Sequence, residues 1–131
     1  MKTILVATDF SKSANNAIDY AVELAKFTKS KLILFHTYHV PVVASEVPVM
    51  MPSLDEIEKE CMDCLKKIEE SIPLENRNNL TIECVCKCGF EVDEINLFTE
   101  KNKIDLIIVG MQGAGYLSEK TLWQHNHLIN L

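Results

Sequence analysis

Lys2-Thr3-Ile4-Leu5-Val6-Ala7-Thr8-Asp9-Phe10-Ser11 begins with an apolar, β-branched run of strand length and stops on an acidic side chain. A run that is apolar throughout, without alternation, is the pattern of a strand covered on both faces. From Ser11 the period changes. Ala14, Ala17, Ile18, Ala21, Leu24 and Ala25 recur at three- and four-residue spacing, with Ser11 or Ser13 as N-cap, which predicts an amphipathic helix. Leu32-Ile33-Leu34-Phe35, closing at His36-Thr37, is a second buried-type strand. Strand, helix and strand in this order make a βαβ unit with a right-handed crossover.

Working outward, residues 38–52 carry Pro41, Pro48 and Pro52 and read as a long loop, in which Met50-Met51 cover apolar surface. Ser53-Leu54-Asp55-Glu56 has the form of a capping box, and Ile57, Cys61, Cys64, Leu65, Ile68 and Ile72 give the stripe of a second helix that Pro73 ends. Residues 80–85 read as a third strand. Phe90, Val92, Ile95, Leu97 and Phe98 read as a short helix, and Leu106-Ile107-Ile108-Val109 as a fourth strand. Strands alternating with helices predict an α/β fold with an open parallel sheet, in one domain over residues 1–131. The tail, residues 117–131, has helical spacing at Leu117, Leu122, Leu128 and Ile129 and no further β-rich run, so a fifth parallel strand is not expected.

With 131 residues, 47% of them apolar, one core is the expectation. The net charge of −6 comes with no basic block that would neutralise a phosphate backbone, which argues against nucleic acid as a partner. Residues 4–7 are too short to span a bilayer, and five cysteines is an odd number for a disulfide framework. A cytoplasmic location with no membrane partner is expected.

In an open parallel sheet, ligands settle in the crevice outside the carboxyl ends of the strands, where the strand order reverses. There the first strand presents Asp9, whose carboxylate accepts hydrogen bonds from a ribose hydroxyl or an adenine amino group. The fourth presents Gly110-Met111-Gln112-Gly113-Ala114-Gly115, where glycines allow close approach of backbone to a phosphate.

Taken as a set, residues 2–11, the strand ending at His36, and Ile104-Asp105-Leu106-Ile107-Ile108-Val109-Gly110 followed by Gly113 resemble the universal stress protein family in order and spacing, over residues 1 to about 120. The resemblance implies a Rossmann-like domain that forms a homodimer and that, in one branch of the family, binds ATP. It implies a nucleotide site with Ala7, Thr8, Asp9 and Thr37 on the adenosine side and Val109, Gly110, Gly113 and Gly115 on the phosphate side. ATP or AMP is the implied ligand, with no metal beyond the magnesium that accompanies a nucleotide. The family's phosphate pattern is G-x2-G-x9-G-[ST]; Gly110 and Gly113 match, whereas Trp123 and Gln124 replace its last two positions. The reading is a regulatory module rather than an enzyme. Its alternative is a dimerisation or interaction module of the same family that binds no nucleotide, and the tail points to an atypical dimer.

Other candidates have plainer readings. Cys61 and Cys64 lie on a helix's apolar face, and Cys84, Cys86 and Cys88 alternate along a strand, so buried or half-buried thiols are expected in place of a zinc site. His36 reads as a core histidine at a strand end, and His125 and His127 as surface residues. No nucleophile elbow and no G-x4-G-K-[ST] loop occurs. The sequence also lacks the acidic pair and third-strand phosphoacceptor of a response-regulator receiver and the hydroxyl-rich first loop of a flavodoxin.

Overall fold

The apolar opening run forms β1 (Thr3–Ala7), and the amphipathic stretch after it forms α1 (Lys12–Thr28). This is a computed structural model; it describes residues 2–38, 53–110, 121–124 and 127–130, the last two stretches as backbone only. Ser11 is the N-cap of α1, its side chain accepting from the Ala14 N–H, and Lys29 closes the helix in the left-handed region at φ 54°.

Next come β2 (Lys31–Tyr38), α2 (Leu54–Ser71), the single turn α3 (Leu74–Asn78), β3 (Ile82–Cys88), α4 (Glu91–Lys101) and β4 (Leu106–Val109). The Ser53–Glu56 capping box forms as expected: the Ser53 hydroxyl accepts from the Glu56 N–H at 3.2 Å, and the Glu56 carboxylate accepts from the Ser53 N–H. The chain then closes the sheet with β5 (Thr121–Gln124) and β6 (His127–Asn130).

The strand order is β3-β2-β1-β4-β5-β6. The first four strands are parallel, in the register Ala7↔Phe35, Ala7↔Val109 and Phe35↔Val85, which is the predicted open α/β sheet. Its two faces bury different sets. Ile4, Val6, Leu32, Leu34, Cys86 and Ile108 face α1 and α2, where Ala17, Ile18, Ala21 and Leu65 pack on them. Leu5, Ala7, Ile33, Phe35 and Ile107 face α4 and its Ile95. Coverage on both faces is why these strands read as unbroken apolar runs.

The structure corrects the expectations in four places. Strand β3 spans Ile82–Cys88 in place of residues 80–85, because the Leu80 N–H bonds back to the Arg77 carbonyl and the ladder with β2 runs on to Tyr38↔Cys88. Pro73 ends α2 but also starts α3, which the sequence reading missed. α4 runs past Phe98 to Lys101, with Phe90 outside it as N-cap. Residues 121–124 and 127–130 are an antiparallel hairpin where helical spacing was read, and β5 covers β4 (Val109↔Thr121, Ile107↔Trp123), so β4 is not an edge. A four-residue strand holds too few residues to distinguish a period of 2 from one of 3.6, which is why the tail misled.

Among the described residues, no helix is long and apolar enough to cross a membrane.

Candidate functional site

The turn from β1 into α1 is held by hydrogen bonds within a few residues. The Thr8 N–H extends the sheet ladder to the Phe35 carbonyl at 2.8 Å, and its hydroxyl accepts from the Phe10 N–H at 3.0 Å. Asp9 Oδ1 accepts from the Ser11 N–H at 2.9 Å, and Phe10 takes φ 64°, a left-handed conformation unusual for an aromatic residue. His36 Nδ1 donates to the Thr8 carbonyl at 2.7 Å while its ring lies 4.3 Å from that of Phe10. The histidine expected to be a core residue is therefore half-buried and pins the turn that carries Asp9.

Because Ala7 pairs with Phe35, Thr37 sits two residues further along β2, at the level of Asp9. Strand alternation puts Thr37 on the face of Ile33 and Phe35, the α4 face, together with Ala7 and Val109. Lys87, in register with Thr37 on β3, shares that face. Thr8 and Ala7 are buried, Thr37 and Val109 are half-buried, and Asp9 is exposed.

Gly110 has a reason of its own. A Cβ placed there would come within 2.7 Å of Ala17 Cβ and of the Ser13 carbonyl oxygen, and 3.0 Å from Ala14 Cα. The residue lets the end of β4 lie against the first turns of α1. Gly113 and Gly115 lie outside the described residues. Ala7, Thr8, Asp9, Thr37, Val109 and Gly110 are thus gathered at the carboxyl ends of β1, β2 and β4.

One residue at these strand ends was missed. After β3, Gly89 turns the chain at φ 144° and its N–H bonds to the Tyr38 carbonyl at 3.0 Å, so α4 starts over the end of β2. Glu91, the first residue of α4, lies four before the buried Ile95 and shares its face, which rests on Leu5, Ala7 and Phe35. Its carboxyl is half-buried, and burial first, then the Asp9 carboxylate, raises its pKa above the ordinary glutamate value. Glu91 and Asp9 therefore face the same crevice. The only sequence signal was an acidic residue after Gly89, which reads as an ordinary first-turn glutamate.

The thiols behave as packing groups. Cys61 and Cys84 pack against the cluster that buries Cys86, and burial pushes the Cys84 thiol up to about 11 and the Cys86 thiol up to about 12. Cys88 is exposed. Among the described residues, no group of three or more His, Cys, Asp or Glu is arranged to hold a metal ion. The side chains of His125 and His127 lie outside the described residues.

A family model described as "Universal stress protein family" matches residues 1–124. A curated relative, "Universal stress protein YxiE" from Bacillus subtilis (strain 168), is 29% identical over 133 residues, covering 97% of this chain and 90% of the relative. Among solved structures, a universal stress protein family member from Burkholderia pseudomallei superposes with a TM-score of 0.67 at 21% identity, over 84% of this chain and 81% of that one. A universal stress protein solved in complex with cAMP gives 0.63 at 23% identity, over 87% and 79%. These two likenesses bear on the fold.

Proposed function

The chain belongs to the universal stress protein family, and from that footing we propose that it is a regulatory, non-enzymatic module that binds an adenine nucleotide, ATP or AMP, at the carboxyl ends of β1, β2 and β4. The observation that carries this reading is the gathering of Asp9, Thr37, Val109 and Gly110 at one end of the sheet, with Val109 level with Ala7 and Thr37 two residues further on, level with Asp9, as the registers Ala7↔Phe35 and Ala7↔Val109 require. Asp9 accepts hydrogen bonds from the ribose hydroxyls, Thr37 and the backbone of residues 7–8 line the base, and Val109-Gly110 lead toward the phosphates, the side to which the family resemblance also assigns Gly113 and Gly115. The relative solved with cAMP supports an adenine ligand as the class to test first.

A second reading has its own observation. Trp123 and Gln124, at the last two positions of the phosphate pattern, belong to β5, whose backbone pairs with β4 and β6. That favours a module that works through protein contacts, and β6, the outer strand, offers an edge to a second copy of the chain. We place the module in the cytoplasm, as one domain over residues 1–131, and light scattering reads its dimerisation directly.

Mass spectrometry of small molecules released from freshly purified protein separates the two readings. An adenine nucleotide at near-stoichiometric yield supports the first. Its absence, together with no thermal shift on adding ATP or AMP, rejects it in favour of the second.

A further inference from the structure

Resting on the adenine-site reading, we infer that His36 is a positioning residue for that site. Its Nδ1–H takes the Thr8 carbonyl that the Thr37 N–H would otherwise hold, which ends the β1–β2 ladder and leaves the Asp9 turn and the Thr37 amide set for the ligand.

The ladder itself shows where the exchange occurs. Odd-numbered amides of β2 face β1, as the Lys31 N–H does in bonding to the Lys2 carbonyl; even-numbered ones face β3, as the Leu32 N–H does in bonding to the Thr81 carbonyl. The Thr8 N–H bonds to the Phe35 carbonyl at 2.8 Å, so the next bond of the parallel series would run from the Thr37 N–H to the Thr8 carbonyl. It is not made: the β1–β2 register stops at Ala7↔Phe35. The Thr8 oxygen lies instead 2.7 Å from His36 Nδ1. A carbonyl only accepts, so Nδ1 carries the proton, and in the neutral ring Nε2 does not. β2 does not end there, because it runs on beside β3 through Thr37↔Lys87 to Tyr38↔Cys88. Thr37 is therefore held in place from the β3 side while its N–H faces β1 with its ladder acceptor already taken.

The same contact steadies Asp9. Thr8 is gripped at its N–H by Phe35, at its hydroxyl by the Phe10 N–H at 3.0 Å, and at its carbonyl by His36. The next residue, Asp9, accepts from the Ser11 N–H at 2.9 Å, and Phe10, at φ 64°, lays its ring 4.3 Å from that of His36. His36 is in register with Cys86 and shares the α1 and α2 face with Leu32 and Leu34, whereas Thr37 belongs to the α4 face. The histidine thus acts on the crevice through the Thr8 peptide rather than by touching the ligand. A backbone donor beside the Asp9 carboxylate complements a base with an acceptor ring nitrogen joined to a sugar with hydroxyl donors.

Two variants separate the donor from the ring. His36→Asn places an amide nitrogen near the position of Nδ1 and loses the ring; His36→Phe keeps a ring against Phe10 and loses the donor. Calorimetric titration with AMP and ATP should give, for the nucleotide that binds the parent, a Kd within about threefold of the parent for His36→Asn and about tenfold weaker for His36→Phe. Two readouts need no ligand. Nitrogen NMR of the parent in mildly alkaline buffer should show the Nδ1–H tautomer. The Thr37 amide should exchange with solvent faster than that of Phe35, which lies inside the ladder, and should slow in His36→Phe as the Thr37–Thr8 bond forms. An Nε2–H tautomer, a Thr37 amide as protected as that of Phe35 in the parent, or His36→Phe binding as tightly as the parent overturns the inference and leaves the adenine-site reading standing. Failure of both nucleotides to bind the parent removes that reading and the inference with it.

Discussion

Glu91 occupies a place where its charged form is disfavoured, and the sign of the pH effect follows. A folded-state pKa above the unfolded one means the folded chain holds the proton more tightly, so stability is lost as pH rises through the window between the two values. Glu91→Gln lacks that loss. It should be more stable than the parent at neutral pH, with the difference vanishing below about pH 4, where both states of the parent are protonated. Urea denaturation at the two pH values reads this. Gly110 sits under the opposite constraint, where any side chain meets α1 backbone at the Ser13 carbonyl. Gly110→Ala should cost about 1–3 kcal/mol, seen as a lower urea midpoint at unchanged slope. Both residues show what a sequence reading lacks. Gly110 was legible as a glycine ending a strand, but its contact with Ala17 needs the crossover of α1, and Glu91 reaches Asp9 only because α4 spans β2 on its way to β4.

At the scale of elements, β1, β4 and the Ser53–Glu56 capping box were legible to the residue, because each is written in a local pattern: a short apolar run bounded by polar residues, or a cap with its partner three positions on. Ser53→Ala should lower stability by about 1 kcal/mol, measured by thermal or urea unfolding. The ends of β2 and β3 were not legible. Each extends the other's ladder as far as Tyr38↔Cys88, and pairing length is a property of two strands rather than of one sequence window. That extension exposes Cys88 while Cys86, two residues earlier on the same face, stays packed under α2. Brief alkylation with iodoacetamide near pH 8 should label Cys88 first and Cys86 last, since the buried thiol is pushed up to about 12 and carries almost no thiolate there. Mass spectrometry of the digested protein gives the order.

For the whole molecule, the four-stranded parallel sheet and its crevice follow from strand–helix alternation and the right-handed crossover, and so the location of the candidate site was legible before any side chain was placed. The antiparallel pair β5–β6 was not, because two four-residue strands look like any polar–apolar mixture until β4 is present for β5 to pair with. Its consequence is that β4 has a partner strand on its outer side, so the exposed edge passes to β6. The account's central claim is that an adenine ligand binds at the carboxyl ends of β1, β2 and β4 through Asp9. Thermal or chemical denaturation of the parent and of Asp9→Ala and Asp9→Asn, each with and without saturating adenosine, AMP or ATP, tests it directly. The account predicts that at least one of these ligands stabilises the parent, by about 2.7 kcal/mol at a hundred times its Kd, and that both variants lose most of that gain. No stabilisation by any of the three, or equal stabilisation of the parent and both Asp9 variants, would contradict it.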